Sequence, residues 1–481
     1  MKFKALIALS ASLATIGSAT ALQAQGRAIS PRAAQEAAQQ HPEIVSEFGG
    51  TVNANRAGYV SSVGSRVAVH SGVAPRAYNF TALNSPVLNA FAVPGGYIYI
   101  TRQLMGLMND EAELASVLGH EVGHVAANHA GGRQQQSILS QILTVGAAIL
   151  TGSSQIGQLI GQVSQMHVLK FSRDQEFQAD KLGIGYMTRA GYDPNAAVSL
   201  LASLGAADAL ESRASGRDDR RTTPSWARTH PLSADRVARA TQNARATGAA
   251  GRGLRNREQY LAMVDGLFVD DDPAQGVIDG REFRHPDLRI RFAVPQGYTM
   301  QNGTRAVSIT GQNGQAQFTG GRFSGDLGSY VAQAFQSLAG QGQIPFAQPR
   351  STIINGIPAA YSTARVTTQR GPVDVSIVAY RWAADTAYHF AMITPAGAGI
   401  GPFQPMVQSV GRLTAAEAAA IRPRVIDVVT VGPNDTAQSL ASRMAYRDLQ
   451  LERFLTLNGL PNGARLTPGQ RVKLVVYGTR A

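Results

Sequence analysis

The run from Asn109 to His129 limits the possible folds of this chain more than any other stretch. Leu114, Val117, Leu118, Val122 and Val125 recur at helical spacing. Asn109 stands where an N-cap is wanted, and Asp110, Glu111 and Glu113 suit the first turn of a helix. Gly131-Gly132 offers a stop. The pattern therefore predicts one helix carrying His120-Glu121-Val122-Gly123-His124. Positions i and i+4 share a face, so His120 and His124 can point at one metal ion, and Glu121 can reach a water there without being a ligand. Taken alone, the spacing also fits two surface histidines on an amphipathic helix.

Composition narrows the chemistry. The 481 residues suffice for two to four domains, and there is no cysteine. Disulfides, thiolate metal sites and a cysteine nucleophile are excluded, so any metal must be held by His, Asp or Glu. Lys2 and Lys4, an apolar core over residues 5–16 and then small residues read as an export signal, cleaved after Ala21 or Ala24. The formal charge of +12 falls to +10 once Lys2 and Lys4 are removed. Nearly all of the basicity is arginine spread through every region rather than gathered in one stripe, which argues against a nucleic-acid partner and towards anionic envelope surfaces. No apolar run reaches bilayer length; residues 138–150 are short and interrupted by Ser140, Gln141 and Thr144. The mature chain is expected to be soluble.

Before the central helix, residues 30–50 and 54–70 read as helices. Residues 78–83, 89–93 and 97–100 read as strands, with Pro94-Gly95-Gly96 turning between the last two. A hairpin that delivers the chain to such a helix suits enzymes that hold substrate as an added strand along a sheet edge. It equally suits plain packing. Residues 131–170 read as a helical excursion or hairpin. Two further motifs follow. In Ser172-Arg173-Asp174-Gln175-Glu176-Phe177-Gln178-Ala179-Asp180, Glu176 and Asp180 lie one helical turn apart. That spacing suits a carboxylate ligand followed by an acceptor for a ligand imidazole N–H. Thr229-His230-Pro231-Leu232-Ser233-Ala234-Asp235-Arg236 comes after a charged loop over residues 213–221, and can bring His230 and Arg236 to the same site.

Together, HEVGHVAANH, SRDQEFQAD and THPLSADR, with NAFAVPGGYIYITR ahead of them, resemble the zinc metallopeptidase family of the CAAX prenyl endopeptidase and the heat-shock protease HtpX. Within it they are most similar to the soluble periplasmic β-barrel assembly-enhancing protease kind. The resemblance covers about residues 30–265. The metzincin pattern fails, because Ala127 and Ala130 stand where it needs Gly and His. The resemblance implies one Zn2+ per chain on His120, His124 and Glu176, Glu121 as general base, and Asp180 behind the ligands. It places His230 and Arg236 near the metal as oxyanion stabilisers, with His230 able to close the fourth zinc position at rest. His41, His70, His129 and His167 are read as structural.

Residues 265–276, with Asp270-Asp271-Asp272-Pro273, read as a linker or solvated turn. Strand-like runs and one helix over 329–339 then predict an antiparallel α+β domain, similar in outline to Mog-type or PsbP-like sandwiches, with no ligand cluster. After an Ala-rich linker over 415–421, residues 425–478 resemble a LysM domain of βααβ layout. Such modules bind N-acetylglucosamine chains. This copy departs from them in a longer segment between its helices, over residues 444–450, and in Asn434 where Gly is usual. The expected fold is thus multidomain: a signal peptide over 1–24, a mostly α zincin-like peptidase domain with a small β-sheet over 30–265, an α+β sandwich domain over 277–414, and the LysM-like domain over 425–478. The expected function is a periplasmic zinc endopeptidase acting on unfolded or misassembled envelope proteins, with peptidoglycan and the outer-membrane assembly machinery as partners. A peptidoglycan-tethered chaperone without turnover and a cell-wall stem-peptide peptidase are the alternatives.

Overall fold

The computed structural model describes residues 29–130, 171–214, 230, 234–339, 343–368 and 371–479. The expected signal peptide, the excursion over 131–170 with its Gly131-Gly132 stop and His167, and most of the 213–221 loop lie outside them. The first part of the fold runs α1 (Pro31–Glu47), α2 (Ala54–Ala68), β1 (Asn79–Leu83), β2 (Ala90–Val93), β3 (Tyr97–Thr101), α3 (Arg102–Leu107), α4 (Glu111–Ala126), α5 (Arg173–Arg189), α6 (Asn195–Ala214), α7 (Ala234–Ala246) and α8 (Arg257–Val264).

The hairpin is present. β2 pairs antiparallel with β3 through Pro94-Gly95-Gly96, while β1 joins β3 in parallel, giving the order β1-β3-β2. Gly95 and Gly96 take φ of 103° and 87°, and a Cβ on Gly96 would fall 2.1 Å from the Ala77 carbonyl oxygen, so the turn needs glycine. Side chains alternate across the sheet. Ala90, Ala92, Ile98 and Ile100 join the core with α2 and α4, whereas Phe91, Val93 and Tyr99 pack with Ala37 and Ile44 of α1. Helices thus cover both faces, and the outer edge of β2 lies beside α4.

α4 is the expected helix with two changes at its ends. Its N-cap is Asp110, whose side chain accepts from the Glu113 amide, while the Asn109 amide donates to Glu113. Asp110 outcompetes Asn109 because it also pairs with Arg255 at 2.6 Å. At the other end the helix stops at Ala126, ahead of the expected glycines, because Asn128 adopts a left-handed φ of 54°. The first turn is anchored: Glu111 accepts from the hydroxyls of Tyr59 and Tyr192 and from the Asn256 amide.

The segment expected as a linker is instead bound into the fold. Phe268–Val269 forms β4, and the buried Arg102 guanidinium donates to the carbonyls of Phe268 and Asp270 and to Asn84. Burying a guanidinium requires that its donors be used, and backbone carbonyls supply the acceptors here.

The middle region holds β5 (Val277–Asp279), β6 (Glu282–His285), β7 (Ile290–Ala293), β8 (Thr299–Asn302), β9 (Val307–Gly311), β10 (Gly314–Arg322), α9 (Leu327–Ala339), β11 (Arg350–Ile354), β12 (Ile357–Thr368), β13 (Gly371–Arg381), β14 (Thr386–Pro395) and β15 (Gly411–Arg412). A seven-stranded antiparallel sheet in the order β11-β12-β13-β14-β10-β9-β8 is sandwiched between a smaller sheet, β15-β7-β6-β5, and α9. Period-two alternation sorts the faces. Val378, Tyr380, Phe390 and Met392 face the small sheet, and Ile377, Ala379, Ala391 and Ile393 face α9.

The chain ends in α10 (Ala415–Ala420), β16 (Arg424–Thr430), α11 (Ala437–Ala441), α12 (Gln450–Leu457) and β17 (Arg471–Tyr477), so the last four elements follow the βααβ order. β16 pairs antiparallel with β17 on one side and with β4 on the other. The core of this segment is shared: Ile426, Phe454, Val472 and Leu474 pack in one cluster with Leu104, Met105 and Tyr260. Lys473, fully buried, donates from Nζ to the carbonyls of Gly106, Leu107 and Met108 at 2.7, 3.1 and 2.6 Å. Three carbonyls around one nitrogen match the three donors of an ammonium at the end of α3.

Candidate metal centre

Two helices and one loop residue build the site. α4 carries His120, Glu121 and His124; α5 carries Glu176 and Asp180. α5 begins where Ser172 and Gln175 close a capping box, which puts Glu176 in the first turn. The helices approach closely because small residues face each other. Gly119 and Gly123 of α4 meet Ala179 and Gly183 of α5, and a Cβ on Gly183 would lie 2.7 Å from the His120 backbone nitrogen.

This crossing, with His230 arriving ahead of α7, gathers one donor atom each from His120, His124, Glu176 and His230 within 4.8 Å of one another, all buried. Nε2 of His120 is 3.0 Å from Nε2 of His124 and 3.2 Å from Nδ1 of His230. Nδ1 of His230 is 3.1 Å from Oε1 of Glu176, which lies 3.4 Å from Nε2 of His124; Oε2 of Glu176 is 3.5 Å from Nε2 of His120. A tetrahedral zinc with bonds of about 2.05 Å separates neighbouring ligand atoms by about 3.3 Å. The donor set and its spacing therefore fit zinc.

Around these atoms, Nδ1 of His120 lies 2.9 Å from Oδ1 of Asp180. Arg236 of α7 donates to both Asp180 oxygens, at 2.9 and 2.7 Å, and stands 2.9 Å from Oε2 of Glu176, so it locks the two carboxylates together. Burial alone would raise the Asp180 pKa, but His120 and Arg236 outweigh it and bring it to about 2. Glu176 is likewise held well below the ordinary carboxylate range, its burial outweighed by His230, His120 and His124. Glu121 goes the other way. Burial pushes its pKa up against the pull of His230 and His120. The Ala92 amide on β2 faces it, yet among the described residues neither carboxylate oxygen has a partner at hydrogen-bond geometry. Its Oε1 is 3.6 Å from Nε2 of His230.

All seven residues singled out from the sequence thus come together. Two neighbours of the site did not stand out there. Phe171 stacks on His124 with ring centroids 3.7 Å apart. His129, read as structural, has Nδ1 2.9 Å from Nδ1 of His124. The signal for the second was Asn128, a residue that tolerates the left-handed turn which folds His129 back.

Residues 54–244 match Peptidase family M48. This part of the chain belongs to that family. The chain is similar to the mitochondrial metalloendopeptidase OMA1 of Schizosaccharomyces pombe, 30% identical over 210 residues, which are 43% of this chain and 58% of that one. The β-barrel assembly-enhancing protease of Escherichia coli K12 is 30% identical over 195 residues, 39% of this chain and 38% of that protein. The metalloprotease YcaL of the same organism is 30% identical over 164 residues, 33% of this chain and 59% of that one. The chain therefore spans less than two thirds of each of these relatives. Among solved structures, the cyanobacterial PsbP of Synechocystis sp. PCC 6803 matches at 10% identity, over 28% of this chain and 98% of that one, with a TM-score of 0.23, too low to carry a fold argument.

Proposed function

We propose that this chain is a zinc-dependent endopeptidase of the bacterial periplasm that cleaves unfolded or misassembled envelope proteins. The observation that carries the reading is the buried set His120, His124, Glu176 and His230 beside the buried carboxylate of Glu121. Held by His120, His124 and Glu176 alone, zinc would supply a Lewis acid and lower the pKa of a water to about 7. Glu121 takes the proton from the attacking water and passes it to the departing amine. Asp180 fixes the His120 ring, and Arg236, engaged with Asp180 and Glu176, acts as a positioning residue. An extended substrate lies along the outer edge of β2, where the Ala92 amide faces Glu121.

His230 completes the donor tetrahedron, and a site closed by four protein donors has no room for water. We infer that His230 is a latch: its ring withdraws when substrate engages. The envelope assignment draws on the leader-like N-terminus, the arginine-rich charge and the naming of the E. coli relative as an assembly-enhancing protease. The βααβ segment, with its LysM-like sequence, is read as a contact to peptidoglycan.

The test is cleavage of an unfolded protein by the mature chain beside Glu121→Gln, with zinc measured in both. Cleavage by the wild type alone, at equal zinc, is expected. Equal cleavage by both would remove Glu121 from the chemistry. Cleavage of soluble muropeptides but not of protein would instead favour the stem-peptide reading.

A further inference from the structure

His129 lies outside the four-donor set yet touches it, and the backbone sets the contact. α4 ends in a Schellman motif. The Asn128 amide donates to the Val125 carbonyl at 3.0 Å, the His129 amide donates to the His124 carbonyl at 3.1 Å, and Asn128 is left-handed. This closure brings the residue after the left-handed one against the residue it caps, a meeting that is usually apolar. Here the pair is His129 and His124. From α5, Gln175 Nε2 donates to the His129 carbonyl at 3.1 Å, and Gln178 presents Oε1 3.0 Å from Nε2 of His129.

Proton placement along this row follows from valence. A ring nitrogen holds a metal only through a lone pair, so with Nε2 of His124 turned to the donor set, its proton sits on Nδ1. That N–H donates to Nδ1 of His129. His129 then carries its own proton on Nε2 and donates it to Oε1 of Gln178. In the reverse arrangement the proton would sit on Nε2 of His124, where it abolishes ligation, and Gln178 would have to offer N–H instead of oxygen.

We propose that His129, acting with Gln178, is a positioning residue that holds His124 in its metal-binding tautomer and strengthens it as a donor. The inference rests on the metal-centre reading above. It gives the two histidines of α4 different backing: a carboxylate, Asp180, behind His120, and a neutral imidazole–amide pair behind His124.

The test is zinc affinity. The metal-free full chain is titrated with zinc against a chromophoric chelator, with circular dichroism recorded on each variant. His129→Ala and Gln178→Leu are expected to bind 10- to 100-fold more weakly than wild type, the usual cost of losing a partner behind a ligand. Gln178→Glu, which keeps an acceptor oxygen and adds charge, is expected to bind at least as tightly as wild type. Should His129→Ala misfold, Gln178→Leu decides, because it leaves His129 in place. If wild type binds one zinc and Gln178→Leu binds within twofold of it, His129 is merely structural and the inference is overturned. If Gln178→Glu binds as weakly as Gln178→Leu, the acceptor argument fails. If wild type binds no zinc, the metal-centre reading itself fails.

Discussion

His230 is the residue whose placement bears most on whether the site can work. With Nδ1 among the donor atoms and Nε2 3.6 Å from Glu121, its ring would fill the place that the proposed mechanism gives to the attacking water. His230→Ala should therefore keep one zinc per chain and cleave an unfolded substrate faster than wild type, by about tenfold if the latched form predominates at rest (roughly 1.4 kcal/mol). Equal rates would show that the latch is not limiting, and loss of zinc would make His230 an obligatory ligand. Asp180→Asn should act differently. It removes the charge that both the His120 ring and Arg236 engage, so zinc affinity in a chelator competition should fall about 10- to 100-fold. An unchanged affinity would show that Asp180 does not support the ligand. The ligands on the helices and Asp180 were legible in the sequence because helical spacing is local: His120 to His124, and Glu176 to Asp180, are each one turn apart, whereas His230 stood out only through the resemblance of its His-Pro motif. Phe171 and His129 were not, since stacking and a left-handed turn leave no periodic trace.

Among the elements, the crossing of α4 and α5 determines whether the two motifs meet. Gly119, Gly123, Ala179 and Gly183 form the crossing, and it has no slack at Gly183. Gly183→Val should push the helices apart, destabilise the fold by about 1–3 kcal/mol and weaken zinc binding at the same time. A variant that keeps wild-type affinity would show that the ligands do not depend on this contact. Elements with a strong local pattern were readable: the β2–β3 hairpin from Pro94-Gly95-Gly96, and the alternating strands of the middle sheet. The end of α4 was misread because two glycines at 131 and 132 outweighed one asparagine at 128, although the αL position can take either residue type.

Across the whole molecule, the C-terminal βααβ segment is part of the body that holds the metal helix. β4 extends its sheet, its apolar side chains join the core around α3 and α8, and Lys473 caps α3, the element that leads into α4. Lys473→Met should take the ammonium donor from the Gly106 and Met108 carbonyls, leaving Leu107 only the Asn109 side-chain amide, and destabilise the entire chain by about 3 kcal/mol, seen as one cooperative shift in thermal unfolding. A change confined to a separate C-terminal transition would contradict this. This union could not be read from sequence, because its contacts join residues far apart in the chain, Lys473 and Gly106 by more than three hundred positions. The LysM-like pattern instead suggested a bead on a linker. Zinc should stabilise the same body. At a thousandfold excess over its dissociation constant it contributes about 4 kcal/mol, so chelation should lower the melting temperature, and a chain indifferent to chelator would argue against a filled centre.

The account depends on four protein donors around one zinc, and X-ray absorption at the zinc edge of the loaded full-length chain tests that most directly. Wild type should show a four-coordinate site with three imidazoles and one carboxylate, and His230→Ala should show two imidazoles with the carboxylate and a solvent oxygen. Identical spectra from the two proteins would place His230 off the metal and contradict the latch, and a spectrum without imidazole scattering in wild type would contradict the metal centre itself.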